Sequence, residues 1–304
     1  MKIINFGSLN IDRVYKVRRF VLPGETLPVA DFSVYPGGKG LNQSVALAKA
    51  GATVFHAGKI GADGAFLEEL LQSVGADTSL LLRSDTCTGH AVIQVEEGGQ
   101  NSILLVGGAN QEITEEDAER VLARLEPGDW LLLQNEISAM DYILDRAAAL
   151  QIPVALNPSP MTPALLGYNL SAVGCFILNE LEGQMLTGET NPEGICAAME
   201  EKYPEATVVL TLGAAGVLCR SAGQQFRHGV YPVKIQDTTG AGDTFTGFFL
   251  GAMTSGKSIP EALETASLAA ALAISRPGAA SSIPTALEVQ QAKLTLQKNE
   301  EVFL

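Results

Sequence analysis

The stretch Asp237-Thr238-Thr239-Gly240-Ala241-Gly242-Asp243-Thr244-Phe245 runs on into Thr246-Gly247-Phe248-Phe249-Leu250-Gly251-Ala252-Met253. It reads as a glycine-rich turn that opens a long apolar helix. Glycines let a backbone approach a ligand closely. A helix starting at such a turn aims unpaired N–H groups at that ligand. The nest suits the negative charge on a phosphoryl group in transfer. Asp243 falls in the first turn, where a carboxylate can take a proton from an attacking hydroxyl. The motif alone is equally explained by an acid that favours a helix N-terminus.

Outward from this helix, short apolar runs alternate with helical patterns. Ile3 to Phe6, Val54 to Ala57, Trp130 to Leu133, Val154 to Leu156, Cys175 to Leu178 and Val208 to Leu212 read as buried strands. Leu41 to Lys49, Ala65 to Val74, Ala139 to Leu150 and Pro260 to Ser275 read as helices, the last opened by Ser258 and Glu261 at capping-box spacing. The alternation predicts an α/β fold, a mostly parallel sheet covered by helices on both faces. Two segments break the rhythm. Arg18 to Tyr35, within the break spanning residues 13–37, lacks a helical period, and 89–106 read as a hairpin around Gly98-Gly99. They are expected to leave the main sheet as a small β-lid, or as edge decoration. Residues 1–12, 38–88 and 107–304 then form the α/β body.

The chain has 304 residues, 46% of them hydrophobic, enough for one large core. Its 20 Lys and Arg against 34 Asp and Glu give a net charge of −14, which argues against nucleic acid as a partner. Backbone N–H groups can still bind an anionic nucleotide. Cys87, Cys175, Cys196 and Cys219 make no Cys-x-x-Cys pair, so buried reduced thiols are expected. With no signal-like or membrane-length apolar run, the expected location is the cytoplasm.

Gly251 to Ser258 matches the P-loop pattern letter for letter. A P-loop follows a strand, however, and here a helix precedes it. No aspartate follows Asp243 to hold magnesium. A helix–helix turn explains the match better.

Three further stretches follow predicted strands or precede predicted helices. Tyr35-Pro36-Gly37-Gly38-Lys39-Gly40-Leu41-Asn42 offers backbone amides to a polyol, with Lys39 and Asn42 as donors. Phe6-Gly7-Ser8-Leu9-Asn10-Ile11-Asp12 lies beyond a strand end, where α/β sheets bind ligands. Asn179-Glu180-Leu181-Glu182 could order water around magnesium, or simply begin a helix.

Together, and in this order, these motifs resemble the ribokinase, or PfkB, family of carbohydrate kinases. Thr211-Leu212-Gly213-x-x-Gly216 adds to the resemblance, which spans Gly7 to Pro284. It implies ATP-dependent phosphorylation of a primary hydroxyl of a pentose, D-ribose foremost, with Asp243 as base. Gly240, Ala241 and Gly242 would form the anion hole. Asn10, Asp12, Gly38, Lys39, Asn42 and Glu136 would hold the sugar. Asn179, Thr211, Gly213, Gly216, Gly242 and Ser267 would lie at the nucleotide, and Glu182 would act through magnesium-bound water. Asp237, Thr239, Ala273, Arg276, Gly278 and Ser282 would surround a monovalent cation such as K⁺. The lid would close over the sugar and pair two subunits into a homodimer. Ser267 and Ala215 depart from what many family members carry near the nucleotide. Other acceptors (2-deoxyribose, another sugar, a nucleoside) stay open, as does a non-catalytic sugar sensor.

Overall fold

The computed structural model describes residues 1–297. Its strands are β1 (Ile3–Phe6), β2 (Asn10–Val17), β3 (Asp31–Gly37), β4 (Val54–Ile60), β5 (Asp77–Arg83), β6 (Gly89–Glu96) and β7 (Asn101–Val106), then β8 (Trp130–Gln134), β9 (Val154–Asn157), β10 (Val173–Asn179), β11 (Thr207–Thr211), β12 (Val217–Ser221) and β13 (Gln224–His228). The helices are α1 (Lys39–Lys49), α2 (Ala65–Ser73), α3 (Glu115–Leu122), α4 (Met140–Ala149), α5 (Glu180–Thr187), α6 (Pro192–Lys202), α7 (Ala241–Thr254), α8 (Ile259–Ile274) and α9 (Ala286–Gln291).

Alternate strand residues feed two different cores. Ile3, Leu132, Ala155, Ile177 and Val209 face one of them, with Leu41 and Val45 of α1 and Phe245, Phe248 and Phe249 of α7. Ile4, Leu131, Leu156, Phe176 and Leu210 face the other, with Ile143 of α4 and Met199 of α6. Strands buried on both faces need continuous apolar runs, and this is why they were legible as runs. The main sheet has the order β13-β12-β11-β10-β9-β8-β1-β4-β5. It is parallel from β11 to β5, with β12 and β13 added antiparallel at one edge.

The two irregular segments do leave this sheet. They form a second one of order β3-β2-β6-β7, in which β2 and β6 pair in parallel and the outer pairs are antiparallel. Its strand β2 starts at Asn10, so Asn10 and Asp12 lie on the small sheet itself rather than in a turn. The parallel β2–β6 pairing joins segments about 80 residues apart, which local patterning cannot reveal.

The P-loop look-alike is a helix–helix turn. Gly256 ends α7 with φ +86°, and Ser258 caps α8 in a capping box with Glu261. Three cysteines are buried, while Cys87 is exposed, contrary to the expectation of a buried thiol there.

The contact between α1 and α7 sets the spacing of the two helix starts. A Cβ at Gly247 would sit 2.3 Å from Ala46 Cβ and 2.8 Å from the Leu47 nitrogen. A Cβ at Gly251 would meet Ala50 Cβ less severely, at 3.0 Å. Glycine is thus required for the two helices to approach this closely. We expect Gly247→Ala to lower unfolding free energy by about 1–3 kcal/mol in urea titrations, although alanine is the better helix former. A more stable variant would show that the close approach is dispensable.

Candidate active site

The candidate catalytic residue arrives at the site through this helix contact. Gly240 takes the left-handed conformation, φ +74°, and α7 begins at Ala241. Asp243 follows in the first turn and is only 8% exposed. A buried carboxylate needs donors, and α1 supplies two. Asn42 Nδ2 donates to Asp243 Oδ2 at 3.0 Å, and Gln43 Nε2 donates to Oδ1 at 2.9 Å. The other end of the Asn42 amide, Oδ1, is buried without a partner. Such an orphan acceptor costs free energy unless something fills it.

A cleft of about 240 Å³ opens beside Asp243. Lys39, Asn179, Glu182 and Thr211 line it, together with Gly240, Ala241 and Gly242. A Cβ at Gly242 would meet no protein atom within 4 Å. Packing therefore does not explain this glycine, whereas a ligand lying close to the backbone does. Asn179 and Glu182 form a capping box at the start of α5, each backbone N–H bonded at 3.0 Å to the other's side chain. They are helix-start residues and cleft-lining residues at once. Gly213 and Gly216, in the turn after β11, and Ser267, half-buried on α8, do not line this cleft.

On the other side of Asp243 the two sheets meet. The Asn110 side chain bridges both backbone groups of Leu9 and donates to Asn10 Oδ1 at 2.8 Å. Glu136 accepts from the Ser8 hydroxyl and, at 3.0 Å, from the Lys39 N–H. Gly38, φ +93°, lies against the backbone of Ser8 and Asn10. Gly37 leaves the room that the Asp12 carboxylate occupies: a Cβ there would be 2.2 Å from Oδ2. Burial, with the Glu136 charge second, pushes Asp12 up to about 6. Two carboxylates so placed are acceptors waiting for hydroxyl donors.

The expected cation residues gather behind the glycine turn. Asp237 accepts from the Thr239 N–H and hydroxyl at 2.9 and 2.6 Å, and from the Gly278 N–H at 2.9 Å. Burial opposes ionisation of Asp237, but these bonds outweigh it and hold the carboxyl below its ordinary value. A Cβ on Gly240 would lie 3.3 Å from Ala279, so the turn rests on the loop after α8. Ser282 is buried there and bonded to Ala279 O. The Arg276 guanidinium reaches Glu288 instead, leaving only backbone oxygen to a cation. Among the described residues, no group of three or more His, Cys, Asp or Glu side chains is placed to hold a metal ion. No described helix is long and apolar enough to cross a membrane.

Gln43, Asn110, Gln134 and Asn5 were not singled out by sequence. The available signal was a polar residue inside an apolar run, as in Ile3-Ile4-Asn5-Phe6 and Leu131-Leu132-Leu133-Gln134.

Comparison with known proteins adds independent information. Residues 1–286 match the pfkB family carbohydrate kinases. The ribokinase of Haemophilus influenzae is 37% identical over 292 residues, covering 93% of this chain and 95% of its own. The deoxyribokinase of Salmonella typhi is 31% identical over 313 residues, covering 99% and 100%. The structure of Arabidopsis thaliana ribokinase complexed with ribose and ATP superimposes with a TM-score of 0.85 at 31% identity, covering 95% of this chain and 97% of that one.

The Asp12 environment has a measurable consequence. In the fold Asp12 keeps its proton to about 6, against an ordinary 3.8, so folding takes up a proton between these values. Its cost to stability grows over that range and is fully present above about pH 6. Asp12→Asn is expected to add about 1–2 kcal/mol of unfolding free energy at pH 8, a figure reduced for partial exposure, and little at pH 4. Urea titrations at both pH values test this, and a destabilised variant at pH 8 contradicts it.

Proposed function

The chain belongs to the pfkB family of carbohydrate kinases, and from that premise we propose that it transfers the γ-phosphoryl group of ATP to O5 of D-ribose. The observation that carries the reading is the Asp243 carboxylate, held by two amides at the start of a glycine-led helix beside an open cleft. The acceptor hydroxyl gives its proton to Asp243 as its oxygen attacks the γ-phosphorus in line. The bond from phosphorus to the β–γ bridging oxygen breaks, leaving ADP and ribose 5-phosphate. Backbone amides at Gly240, Ala241 and Gly242 stabilise the charge on the transferred group. Asn10, Asp12, Gly38, Lys39, Asn42 and Glu136 hold the sugar. The paired Asp12 and Glu136 carboxylates support that role. Asn179, Thr211, Gly213, Gly216 and Ser267 face the nucleotide.

Magnesium neutralises phosphate charge when bound. Glu182 fits it through water, since its capping bond occupies only Oε2. A monovalent cation fits the turn behind the anion hole. The donors there are all oxygens, from Asp237, Thr239, Ala273, Arg276, Gly278 and Ser282, as a hard ion requires. The small sheet is a lid over the sugar, formed by residues 13–37 and 89–106 against an α/β body, and it excludes water on closing. Its exposed Phe32, Val34, Ile103, Leu104 and Leu105 favour a homodimer through this sheet. The protein is placed in the cytoplasm, with neither nucleic acid nor membrane as partner.

A second acceptor, 2-deoxyribose, is favoured by the deoxyribokinase likeness alone. Purified protein with Mg-ATP should form ADP fastest with ribose when ribose, 2-deoxyribose, fructose and nucleosides are compared, and potassium should raise the rate. Asp243→Asn should cut turnover roughly 10²–10⁴-fold while sparing ribose binding. Near-normal turnover of that variant would contradict the base assignment. A potassium-independent rate would contradict the cation site.

A further inference from the structure

Gln43 follows Asn42 in the first turn of α1 and is completely buried. It does not itself line the cleft, and it reaches the cleft through two residues that do, Asp243 at the shorter distance and Asn157. Its Nε2 donates to Asp243 Oδ1 at 2.9 Å and, at 3.3 Å, to Asn157 Oδ1. Its Oε1 accepts from Gln134 Nε2 at 2.7 Å. Gln134 is also completely buried and gives its other N–H to Asn5 Oδ1 at 2.9 Å. Asn5 then donates to the Gly40 carbonyl at 2.7 Å and to Ser44 Oγ at 2.8 Å. The chain thus returns to the same helix turn that carries Gln43.

Asp243 fixes the sense of every bond in this series. An ionised carboxylate only accepts. The end of Gln43 that faces it must therefore be nitrogen, and oxygen must face Gln134. Gln134 must present nitrogen there, and Asn5 its oxygen. Turning any one amide over would set like ends together in a dry interior, where such a clash is costly. The bonds from Gln134 and to Asp243 together set the orientation of Gln43.

We infer that Gln43, itself oriented by Gln134, is a positioning residue that fixes the plane of the Asp243 carboxylate toward the acceptor hydroxyl, an inference that rests on the kinase reading above. Asn42 tethers one carboxylate oxygen and Gln43 the other, so the group cannot turn about its Cβ–Cγ bond without losing a bond. Proton transfer in the attacking step requires that alignment.

The test uses Gln43→Met and Gln134→Met, which keep length and approximate volume but remove the amides. With ribose and Mg-ATP, Gln43→Met should lower kcat about 10–100-fold, the worth of one charge-assisted bond. KM for ribose should stay within about twofold. Gln134→Met should lower kcat less, and the double variant should be no slower than Gln43→Met, because both act through one contact. Multiplying losses would overturn the inference, as would an unchanged kcat, or a KM that rises in step with a falling kcat. If Gln43→Met does not fold, Gln134→Met decides by the same split of kcat from KM. Crystal structures of wild type and Gln134→Met add a readout independent of the reaction. A turned Asp243 carboxylate is expected, and an unmoved one overturns the inference. A wild-type protein that phosphorylates no sugar would instead refute the kinase reading, and the carboxylate plane would still judge this one.

Discussion

Everything at the site depends on how closely α1 can approach α7. Gly247 and Gly251 remove the side chains that would hold the helices apart. Only then do Asn42 and Gln43, in the first turn of α1, reach the Asp243 carboxylate in the first turn of α7. Two helix starts are thereby brought together at one end of a parallel sheet. One contributes a carboxylate and the other contributes the donors that hold and aim it. A looser packing would leave a buried carboxylate without partners, an arrangement that costs several kcal/mol.

Around that contact the charges sort themselves by partner. The chain carries a net −14, yet its proposed co-substrate is a polyanion. The cleft answers this with a helix start and glycine amides rather than a cluster of cations, with Lys39 at its edge. The proposed sugar side is built the opposite way. Asp12 and Glu136 sit near enough for the Glu136 charge to disfavour ionisation of Asp12, and hydroxyl donors relieve that pairing. On the proposed mechanism Asp243 stands between these two sides, where a proton would leave the sugar and a phosphoryl group would arrive.

Six strands of the main sheet, β1, β4, β8, β9, β10 and β11, were readable from sequence because they are largely buried and appear as apolar runs, whereas β5, β12 and β13 toward its edges were not. The Ser258–Glu261 cap and the rejection of the P-loop look-alike followed from local chemistry, which the structure bears out. The irregular segments were visible as exceptions, but not their partnership. The β2–β6 pairing is long-range and leaves no local trace. For the same reason Asn10 and Asp12 were legible only as residues beyond the end of β1, not as the start of β2. Asp243, Asn42 and the glycines carried motif signals. Gln43, Gln134, Asn5 and Asn110 did not, because their meaning is a hydrogen-bond partner distant in sequence. Asn110 acts on Leu9, and Gln134 acts on Gln43. Asn5 inside an apolar run and Gln134 at the end of one left the only such trace.

The central claim is that Asp243 receives the proton of the sugar's primary hydroxyl. The most direct measurement is a crystal structure of the protein with ribose and a non-hydrolysable ATP analogue. The account requires O5 of the sugar within about 2.6–3.2 Å of an Asp243 oxygen, with the γ-phosphate at the Gly240–Gly242 turn beyond it. A ribose bound with a different hydroxyl at Asp243, or with Asp243 facing only water, would contradict it.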